Sequence, residues 1–233
     1  MSYLILIRHG ESRWNSANKF TGWVDVPLNE KGIKESQKAA KALEGLKLDV
    51  AFTSTLERAK ETLLIILAKQ RYTGIFMNKG KKRKEWAEHK IDQNEIPIYS
   101  HDHLNERYYG KLQGLNKDKA REKFGEKKVF QWRRSYDVRP PGGESLKDTF
   151  NRAVPYFKKQ IMPYINQKKN VLIVAHGNSL RAIIKHLDQI PDKDIPHLNL
   201  PTGLAIVYKC VKGKLVKQKH IHSFCWDDPS CHK

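Results

Sequence analysis

The sequence predicts an α/β fold, in which a layered, mostly parallel sheet carries helices on both faces. Continuous apolar runs, typical of parallel strands that are buried on both faces, recur along the chain. Segments with apolar residues at helical spacing lie between these runs, and such alternation is typical of parallel layered sheets. With 233 residues, the chain is long enough for one large hydrophobic core, so we predict a single domain over 1–233.

Five apolar runs are predicted as strands, at residues 3–7, 49–53, 95–99, 171–175 and 204–208. Pro97 favours a sheet edge or a strand end for the third run, because proline has no N–H for a strand ladder. Residues 214–221 are expected to pair with the fifth run through a turn at Lys212-Gly213.

Four longer helices are predicted, at residues 30–46, 56–68, 146–161 and 179–187. Gly45 marks the end of the first helix. Ser145, with Asp148 three residues later, is typical of a helix start.

Two stretches interrupt the alternation of strands and helices. Residues 70–95 are polar and basic with little periodicity, which indicates a surface excursion or a lid. Residues 104–143 hold short helical pieces among glycines. We therefore expect a helical and loop insertion over about 70–143, lying over the edge of the sheet that carries the active site, and a tail of uncertain order over 210–233.

The formal charge of +19, from 44 Lys and Arg against 25 Asp and Glu, indicates an anionic partner: nucleic acid, an anionic membrane surface or a small polyanionic substrate. The densest basic patch, 79–84, has no interleaved aromatic residues and no recognised motif, which argues against nucleic acid. No apolar stretch approaches the roughly 20 residues that cross a bilayer, and the opening run is too short for a signal peptide. We expect a cytoplasmic protein with no membrane partner.

The cysteines are Cys210, Cys225 and Cys231. An odd and sparse set argues against a disulfide framework and fits a reducing cytosol. Two of them share the tail with three histidines, but the spacing matches no ordinary zinc motif. We therefore expect no metal.

Two histidines follow predicted strands at the point where each strand ends. His9 comes after the first strand and His176 after the fourth, and each precedes a glycine, Gly10 or Gly177. The carboxyl ends of parallel strands meet at one edge of a sheet, where ligands bind in open α/β folds. Helix N-termini follow, and their free N–H groups suit a phosphate. A single histidine after a strand is usually a packed or solvated residue, but two equivalent turns favour a phosphate site.

Three more side chains are expected at the same edge. Arg8 adds a forked cation beside His9. Arg58 begins the helix after the second strand, and Glu106 supplies a carboxyl group from the insertion. An imidazole nucleophile, cations for the phosphoryl oxygens and an acid–base carboxyl fit phosphoryl transfer. No P-loop glycine pattern is present in the sequence, so ATP is not indicated.

A resemblance to the histidine phosphatase superfamily rests on Arg8-His9-Gly10-Glu11-Ser12, Trp14-Asn15 and Phe20-Thr21-Gly22-Trp23. Further runs resemble its cofactor-dependent phosphoglycerate mutase branch: Leu104-Asn105-Glu106-Arg107-Tyr108-Tyr109-Gly110, Leu112-Gln113-Gly114-Leu115-Asn116-Lys117, Trp132-Arg133-Arg134 and His176-Gly177-Asn178-Ser179-Leu180-Arg181. These blocks together are much more specific than Arg-His-Gly alone.

The resemblance implies a role for each matching residue. It makes His9 the nucleophile and phosphate carrier, with Arg8, Arg58 and His176 around the transferring phosphoryl group. It makes Glu106 the general acid and base for the substrate hydroxyls. The remaining matches would hold the glycerate carboxylate and the second phosphate: Ser12, Asn15, Thr21, Gly22, Arg107, Tyr109, Lys117, Arg133, Arg134, Gly177 and Asn178.

The function implied by the resemblance is that of an isomerase of glycolysis and gluconeogenesis, which interconverts 2-phosphoglycerate and 3-phosphoglycerate. It is primed by 2,3-bisphosphoglycerate, uses no metal and forms a homodimer or a dimer of dimers. The alternative is a phosphatase of the same superfamily, in which water takes the phosphoryl group of a small metabolite from His9. A third hypothesis is a basic scaffold that binds nucleic acid through 79–84. The full polar set favours the mutase.

The sequence departs from the expected pattern of this branch in two places. Before Leu104 the branch has an aromatic-rich lead-in, whereas this chain has Ser100-His101-Asp102-His103. The 70–95 connection is also long and basic. These departures bear on lid packing and oligomer contacts more than on the chemistry.

Overall fold

The computed structural model describes residues 2–77 and 91–221. Its strands are β1 (Ser2–Arg8), β2 (Val50–Thr53), β3 (Thr73–Phe76), β4 (Glu95–Ser100), β5 (Val171–Ala175), β6 (Ala205–Val211) and β7 (Lys214–Ile221). Within the described residues they form one sheet in the order β3-β4-β2-β5-β1-β6-β7. The basic patch 79–84 and the tail from His222 onward lie outside the described residues.

The helices are α1 (Arg13–Ser16), α2 (Glu30–Ala42), α3 (Glu57–Lys69), α4 (Lys117–Phe124), α5 (Glu126–Arg134), α6 (Leu146–Tyr156), α7 (Met162–Asn166) and α8 (Gly177–Leu187). Ser145 caps α6 as predicted, because its Oγ accepts from the Asp148 N–H at 3.1 Å and the Asp148 carboxylate accepts from the Ser145 N–H at 2.9 Å. Among the described residues, no helix is long and apolar enough to cross a membrane.

The centre of the sheet is parallel, as predicted. β1 pairs with β5 in a register that sets Arg8 opposite Ala175, and β2 flanks β5 on its other side with Thr53 opposite Val174. The residues that follow these strands therefore emerge at one edge of the sheet. β6 and β7 complete the other side as an antiparallel pair, joined through the predicted turn at Lys212-Gly213.

Both faces of the sheet are covered, which explains why the central strands are apolar throughout. Leu4 and Leu6 of β1 belong to one buried cluster, together with residues of α6 and α8. Ile5 and Ile7 belong to a second cluster, together with residues of α2 and α3. Successive side chains of a strand point to opposite faces, so a run of four apolar residues serves both layers.

Two expectations about the sheet need correction. The interpretation of 70–95 as a surface excursion is wrong for Thr73–Phe76, which forms the edge strand β3. The edge position expected for the Pro97 strand is also wrong, because β4 lies between β3 and β2. Pro97 is accommodated there because its register partner is Ile75 of β3, and the register with β2 starts only at Ile98.

The inserted region carries a small core of its own beside the carboxyl edge of the sheet. It contains short 3-10 turns at Asp102–Leu104 and Gly110–Leu112, followed by α4 and α5. Its buried residues are Phe20, Leu112, Ala120, Val129 and Trp132. Phe20 comes from the loop after α1, so this cluster joins the insertion to the loop that follows the first strand.

Two glycines let the turn after β1 lie directly on the first turn of α2. A Cβ on Gly10 would lie 2.3 Å from the carbonyl oxygen of Gly32, and a Cβ on Gly32 would lie 2.1 Å from that of Glu11. All the atoms that a methyl group would meet here are main chain, so no side chain can move aside. This close approach fixes the turn that carries His9.

We expect Gly32→Ala to lower the free energy of unfolding by about 1–3 kcal/mol, as overpacking does. Glycine to alanine in a helix otherwise stabilises by up to about 1 kcal/mol, so the sign of the change is diagnostic. Urea denaturation measures it, and Lys38→Ala, exposed on the same helix, serves as a control that changes stability by less than about 0.5 kcal/mol. Unchanged or increased stability of Gly32→Ala would contradict the close approach.

Candidate active site

His9 follows β1 directly and is 2% exposed. Its Nδ1 lies 2.7 Å from the carbonyl oxygen of Gly10. A carbonyl only accepts, so Nδ1 carries the proton and Nε2 keeps its lone pair. Burial, then Arg58 and Arg8, hold the pKa of His9 well below its ordinary value. The imidazole is therefore neutral near neutral pH, the form in which a histidine attacks phosphorus.

Arg58 lies at the start of α3 and is 1% exposed. Its Nε donates to His9 Nε2 at 3.3 Å, while its terminal nitrogens donate to the carbonyl oxygens of Val24 and Gly22 at 3.0 and 2.8 Å. Burial lowers the pKa of Arg58 to about 10, so it stays charged near neutral pH. The guanidinium is thus held rigidly beside the atom expected to attack.

Arg8 and His176 complete the surroundings of His9. Arg8 Nη1 donates to the carbonyl oxygen of Leu200, whereas its buried Nε has no hydrogen-bond partner among the described residues. The His176 ring centroid is 4.9 Å from that of His9, and His176 Nε2 lies 2.7 Å from Ser54 Oγ. Burial first, then Arg58, lowers the pKa of His176 well below its ordinary value. Both imidazoles are therefore neutral among fixed cations.

Glu106 is 9% exposed and projects from the inserted region. Its Oε1 accepts from the N–H groups of Arg107 and Asn178 at 2.7 and 3.0 Å. Its Oε2 lies near Gly177, because a Cβ on that glycine would be 3.6 Å from both Oε2 and Arg8 Nε. The carboxyl group is thus held through Oε1, while Oε2 lies on the side of Gly177.

These residues surround a cavity of about 130 Å³. The small volume fits a small metabolite rather than a drug-sized ligand, for which about 300–1,000 Å³ is usual. Glu106 is the one acid among the described lining residues, against seven lysines and arginines. Such a lining suits a compact polyanion. The described lining is Arg8, His9, Asn15, Lys19, Phe20, Thr21, Gly22, Arg58, Glu106, Tyr109, Lys117, Arg133, Arg134, Gly177, Asn178, Arg181, Asn199 and Leu200.

Three of the predicted site residues lie behind this lining. Ser12 is fully buried and caps α1, with its Oγ accepting from the Asn15 N–H at 3.2 Å. His176 lies behind His9. Arg107 is also fully buried and donates to Tyr109 Oη at 3.1 Å and to the carbonyl oxygen of Arg133 at 2.6 Å. The structure thus places all three as supports of lining residues.

Sequence reasoning missed five residues of the lining: Lys19, Phe20, Arg181, Asn199 and Leu200. Arg181 stands within a run that resembles the family, but the resemblance gave it no role. It is 4% exposed, and it donates to Asn178 Oδ1 at 2.9 Å and to the carbonyl oxygen of Ile195 at 2.6 Å. Asn199 and Leu200 lie in an irregular loop, where no periodic signal exists.

The family description "Histidine phosphatase superfamily (branch 1)" matches residues 4–80 and 81–220. The chain belongs to this superfamily. It is 48% identical over 236 residues to a 2,3-bisphosphoglycerate-dependent phosphoglycerate mutase of Methanosarcina acetivorans, covering 94% of this chain and 95% of that one. It is 50% identical over 225 residues to one of Pseudoalteromonas atlantica, covering 95% and 99%. The chain is therefore a member of the family of 2,3-bisphosphoglycerate-dependent phosphoglycerate mutases.

Solved structures share the fold at low sequence identity. "Bacillus stearothermophilus YhfR" has a TM-score of 0.72 at 24% identity, covering 93% of this chain and 95% of that one. "Mycobacterial hydrolase 1" has a TM-score of 0.76 at 19% identity, covering 96% and 100%. These likenesses confirm the predicted α/β fold.

Lys117 yields a pH-dependent prediction for the cavity. Burial, then Arg133 and Arg8, lowers the pKa of Lys117 to about 8. A bound anion favours the charged ammonium and raises that pKa again. At about pH 8.5, where free Lys117 is mostly neutral, binding of 3-phosphoglycerate should therefore take up a proton. Titration calorimetry in two buffers of different ionisation enthalpy measures the uptake.

Lys117→Met should abolish most of this uptake, whereas Lys111→Met, at an exposed position, should leave it unchanged. Equal uptake by the Lys117→Met protein and the unaltered chain would show that another group takes the proton.

Proposed function

We propose that this chain interconverts 2-phosphoglycerate and 3-phosphoglycerate through a phosphoryl group carried on His9, with 2,3-bisphosphoglycerate as the primer. The observation that carries the proposal is the His9 geometry: a buried, neutral imidazole, unprotonated at Nε2, in the lining of a small cavity that is rich in cations. The names of the relatives support the choice of substrate.

The first step is transfer to the enzyme. His9 Nε2 forms a bond to one phosphorus of 2,3-bisphosphoglycerate while the bond from that phosphorus to the glycerate oxygen breaks, which leaves a monophosphoglycerate. Negative charge spreads over the equatorial phosphoryl oxygens, and Arg8 and Arg58 stabilise it because their guanidinium groups are held in place before the reaction. His176, neutral and behind the His9 ring at a centroid distance of 4.9 Å, would keep that ring in place.

Glu106 would donate and accept the proton of the substrate hydroxyl. A protonated Glu106 gives its proton to the substrate oxygen that leaves phosphorus. In the reverse transfer its carboxylate takes the proton of the attacking hydroxyl, and phosphorus passes from His9 Nε2 to that oxygen. The hydrogen bonds to Oε1 fix the group, so the same side chain serves both directions.

We call the part of the lining that the helices of the insertion supply the far side of the cavity, and it would bind the part of the substrate that does not react. It consists of Lys117 of α4 with Arg133 and Arg134 of α5, and these cations suit a carboxylate or a second phosphate. 2,3-Bisphosphoglycerate would supply the phosphoryl group that first loads His9. The lining fits such a polyanion, because the donors Arg8 Nε and Thr21 Oγ1 are buried without a hydrogen-bond partner in the part of the chain that the structure describes. Asn15, Gly22, Tyr109, Gly177 and Asn178 would contribute further contacts.

The alternative is a phosphatase, in which water accepts the phosphoryl group from His9. A phosphatase needs firm contacts only around the transferring phosphate, whereas a mutase must hold both ends of its substrate. The cations on the far side of the cavity favour the mutase.

The resemblance also implies an oligomeric state and a cellular location. We propose a homodimer or a dimer of dimers in the cytoplasm, acting in glycolysis and gluconeogenesis. Light scattering on the purified chain measures the assembly state, and a monomer at micromolar concentration would contradict it.

The proposed activity is tested with 3-phosphoglycerate and a trace of 2,3-bisphosphoglycerate. We expect 2-phosphoglycerate to form, as followed by its dehydration with a coupling enzyme. His9→Ala should abolish turnover and histidine labelling by the bisphosphate, because the phosphate acceptor is gone. His197→Gln, at an exposed position, should retain both. Release of inorganic phosphate without formation of 2-phosphoglycerate would contradict the mutase proposal and support the phosphatase alternative.

Glu106→Gln tests the proton transfer. Glutamine keeps the size of the side chain and an acceptor oxygen for the Arg107 and Asn178 N–H groups, but it cannot exchange a proton. We expect a fall in kcat of about 10²–10⁴-fold, with little change in phosphate affinity. The control, Glu122→Gln, lies at an exposed position of α4. Unaltered kcat in Glu106→Gln would remove this residue from the acid–base role.

A further inference from the structure

A cluster of metal-ligating side chains lies outside the cavity, on the turn that leads to Glu106. His101, Asp102 and His103 each offer one ligand atom, and the three atoms lie within 4.8 Å of one another. His101 Nδ1 is 2.8 Å from Asp102 Oδ1, and the two imidazole rings stack with centroids 4.5 Å apart. The sequence departs from the mutase pattern at these residues, and the proposed reaction does not use them.

The surroundings fix the backbone of this turn. Tyr156 packs against both imidazole rings, with centroid distances of 4.6 and 5.7 Å. The N–H of His101 donates to the carbonyl oxygen of Thr53 at 3.0 Å. Arg152 donates to the carbonyl oxygens of Asp102, His103 and Asn105 at 3.3, 2.9 and 3.0 Å. A ligand set on a fixed backbone needs only side-chain rotation to bind an ion.

We propose that His101, Asp102 and His103 bind one Zn²⁺ ion, with water in the remaining position. Two imidazoles and one carboxylate form a ligand set that Zn²⁺ accepts, whereas Mg²⁺ prefers oxygen ligands alone. Zinc–nitrogen bonds of about 2.0–2.1 Å set tetrahedral ligand atoms about 3.3 Å apart. Ligand atoms that lie as far apart as 4.8 Å must therefore close by about 1.5 Å. The side chains of His101 and Asp102 are 43% and 57% exposed, so an ion from solvent can reach them.

This site is distinct from the proposed active site, because none of its three ligands lines the cavity. Arg152 joins the two regions, since it also donates to the carbonyl oxygen of Glu106 at 2.9 Å. A bound ion therefore restrains the segment from which Glu106 projects. The expectation of no metal rested on the cysteines and histidines of the tail, and it overlooked these two histidines.

Titration calorimetry of the full chain, stripped with a chelator, tests the proposal with ZnCl₂ as the titrant. We expect one Zn²⁺ per chain, and no binding of MgCl₂ by the His101–His103 turn. The double variant His101→Gln/His103→Gln should lower the Zn²⁺ affinity at least about tenfold, and so should Asp102→Asn. His197→Gln changes an exposed histidine elsewhere and should leave the affinity unchanged.

The tail cysteines are the competing ligands, so Cys225→Ser/Cys231→Ser is titrated in parallel. We expect this variant to bind Zn²⁺ like the unaltered chain. Zn²⁺ should also raise the Tm of the unaltered chain through mass action, and the double histidine variant should lose that increase. Wild-type affinity in the double histidine variant or in Asp102→Asn would overturn the proposal. Loss of binding in the cysteine variant would overturn it as well, by moving the site to the tail.

Discussion

In the sheet, Arg8 of β1 lies opposite Ala175 of β5, and the geometry of the site follows from this parallel register. Parallel neighbours end at the same edge, so the next residue of each strand, His9 and His176, emerges side by side with ring centroids 4.9 Å apart. An antiparallel register would send the two residues to opposite edges. The register depends in turn on the apolar side chains of β1, which alternate between two buried clusters. A slip of one residue would exchange those faces and turn the site away from the insertion.

The same edge concentrates buried positive charge, which is costly without compensation. Backbone carbonyl oxygens supply part of the compensation, as Val24 and Gly22 do for Arg58. Burial first, and then the arginine charges, lower the pKa values of His9 and His176. The folded chain therefore binds fewer protons than the unfolded chain below the ordinary histidine value of 6.5. Stability is lost as the pH falls through that value. Donors such as Arg8 Nε have no hydrogen-bond partner among the described residues. A bound phosphate would therefore supply the negative charge and the acceptors that these buried cations lack.

The sequence was informative wherever a local pattern determined the structure. Apolar runs located the central strands, and the His-Gly turns placed His9 and His176 at their ends. β3 was not predicted, because its four residues, Thr73–Phe76, are mostly half-exposed on the sheet edge and carry no periodic signal. The substrate-binding roles expected of Ser12 and Arg107 stay predictions. That both side chains lie behind the lining depends on tertiary packing, which no local pattern reports. Arg181 is the opposite case, a lining residue to which the resemblance assigned no role. Its position in the lining depends on hydrogen bonds to Asn178 and to the distant Ile195.

The proposed choice between mutase and phosphatase rests on the far side of the cavity, because both activities share the chemistry at His9. A mutase must keep its bisphosphorylated intermediate bound while the phosphoryl group at the other position reaches the unphosphorylated His9. Contacts to only the transferring phosphate would let the intermediate leave or admit water. Arg133 and Lys117 line that far side, and Arg107 fixes it from behind by bonding Tyr109 Oη and the Arg133 carbonyl oxygen. Binding energy at a position that never reacts thus retains the intermediate. The insertion that carries Glu106 also supplies this binding position.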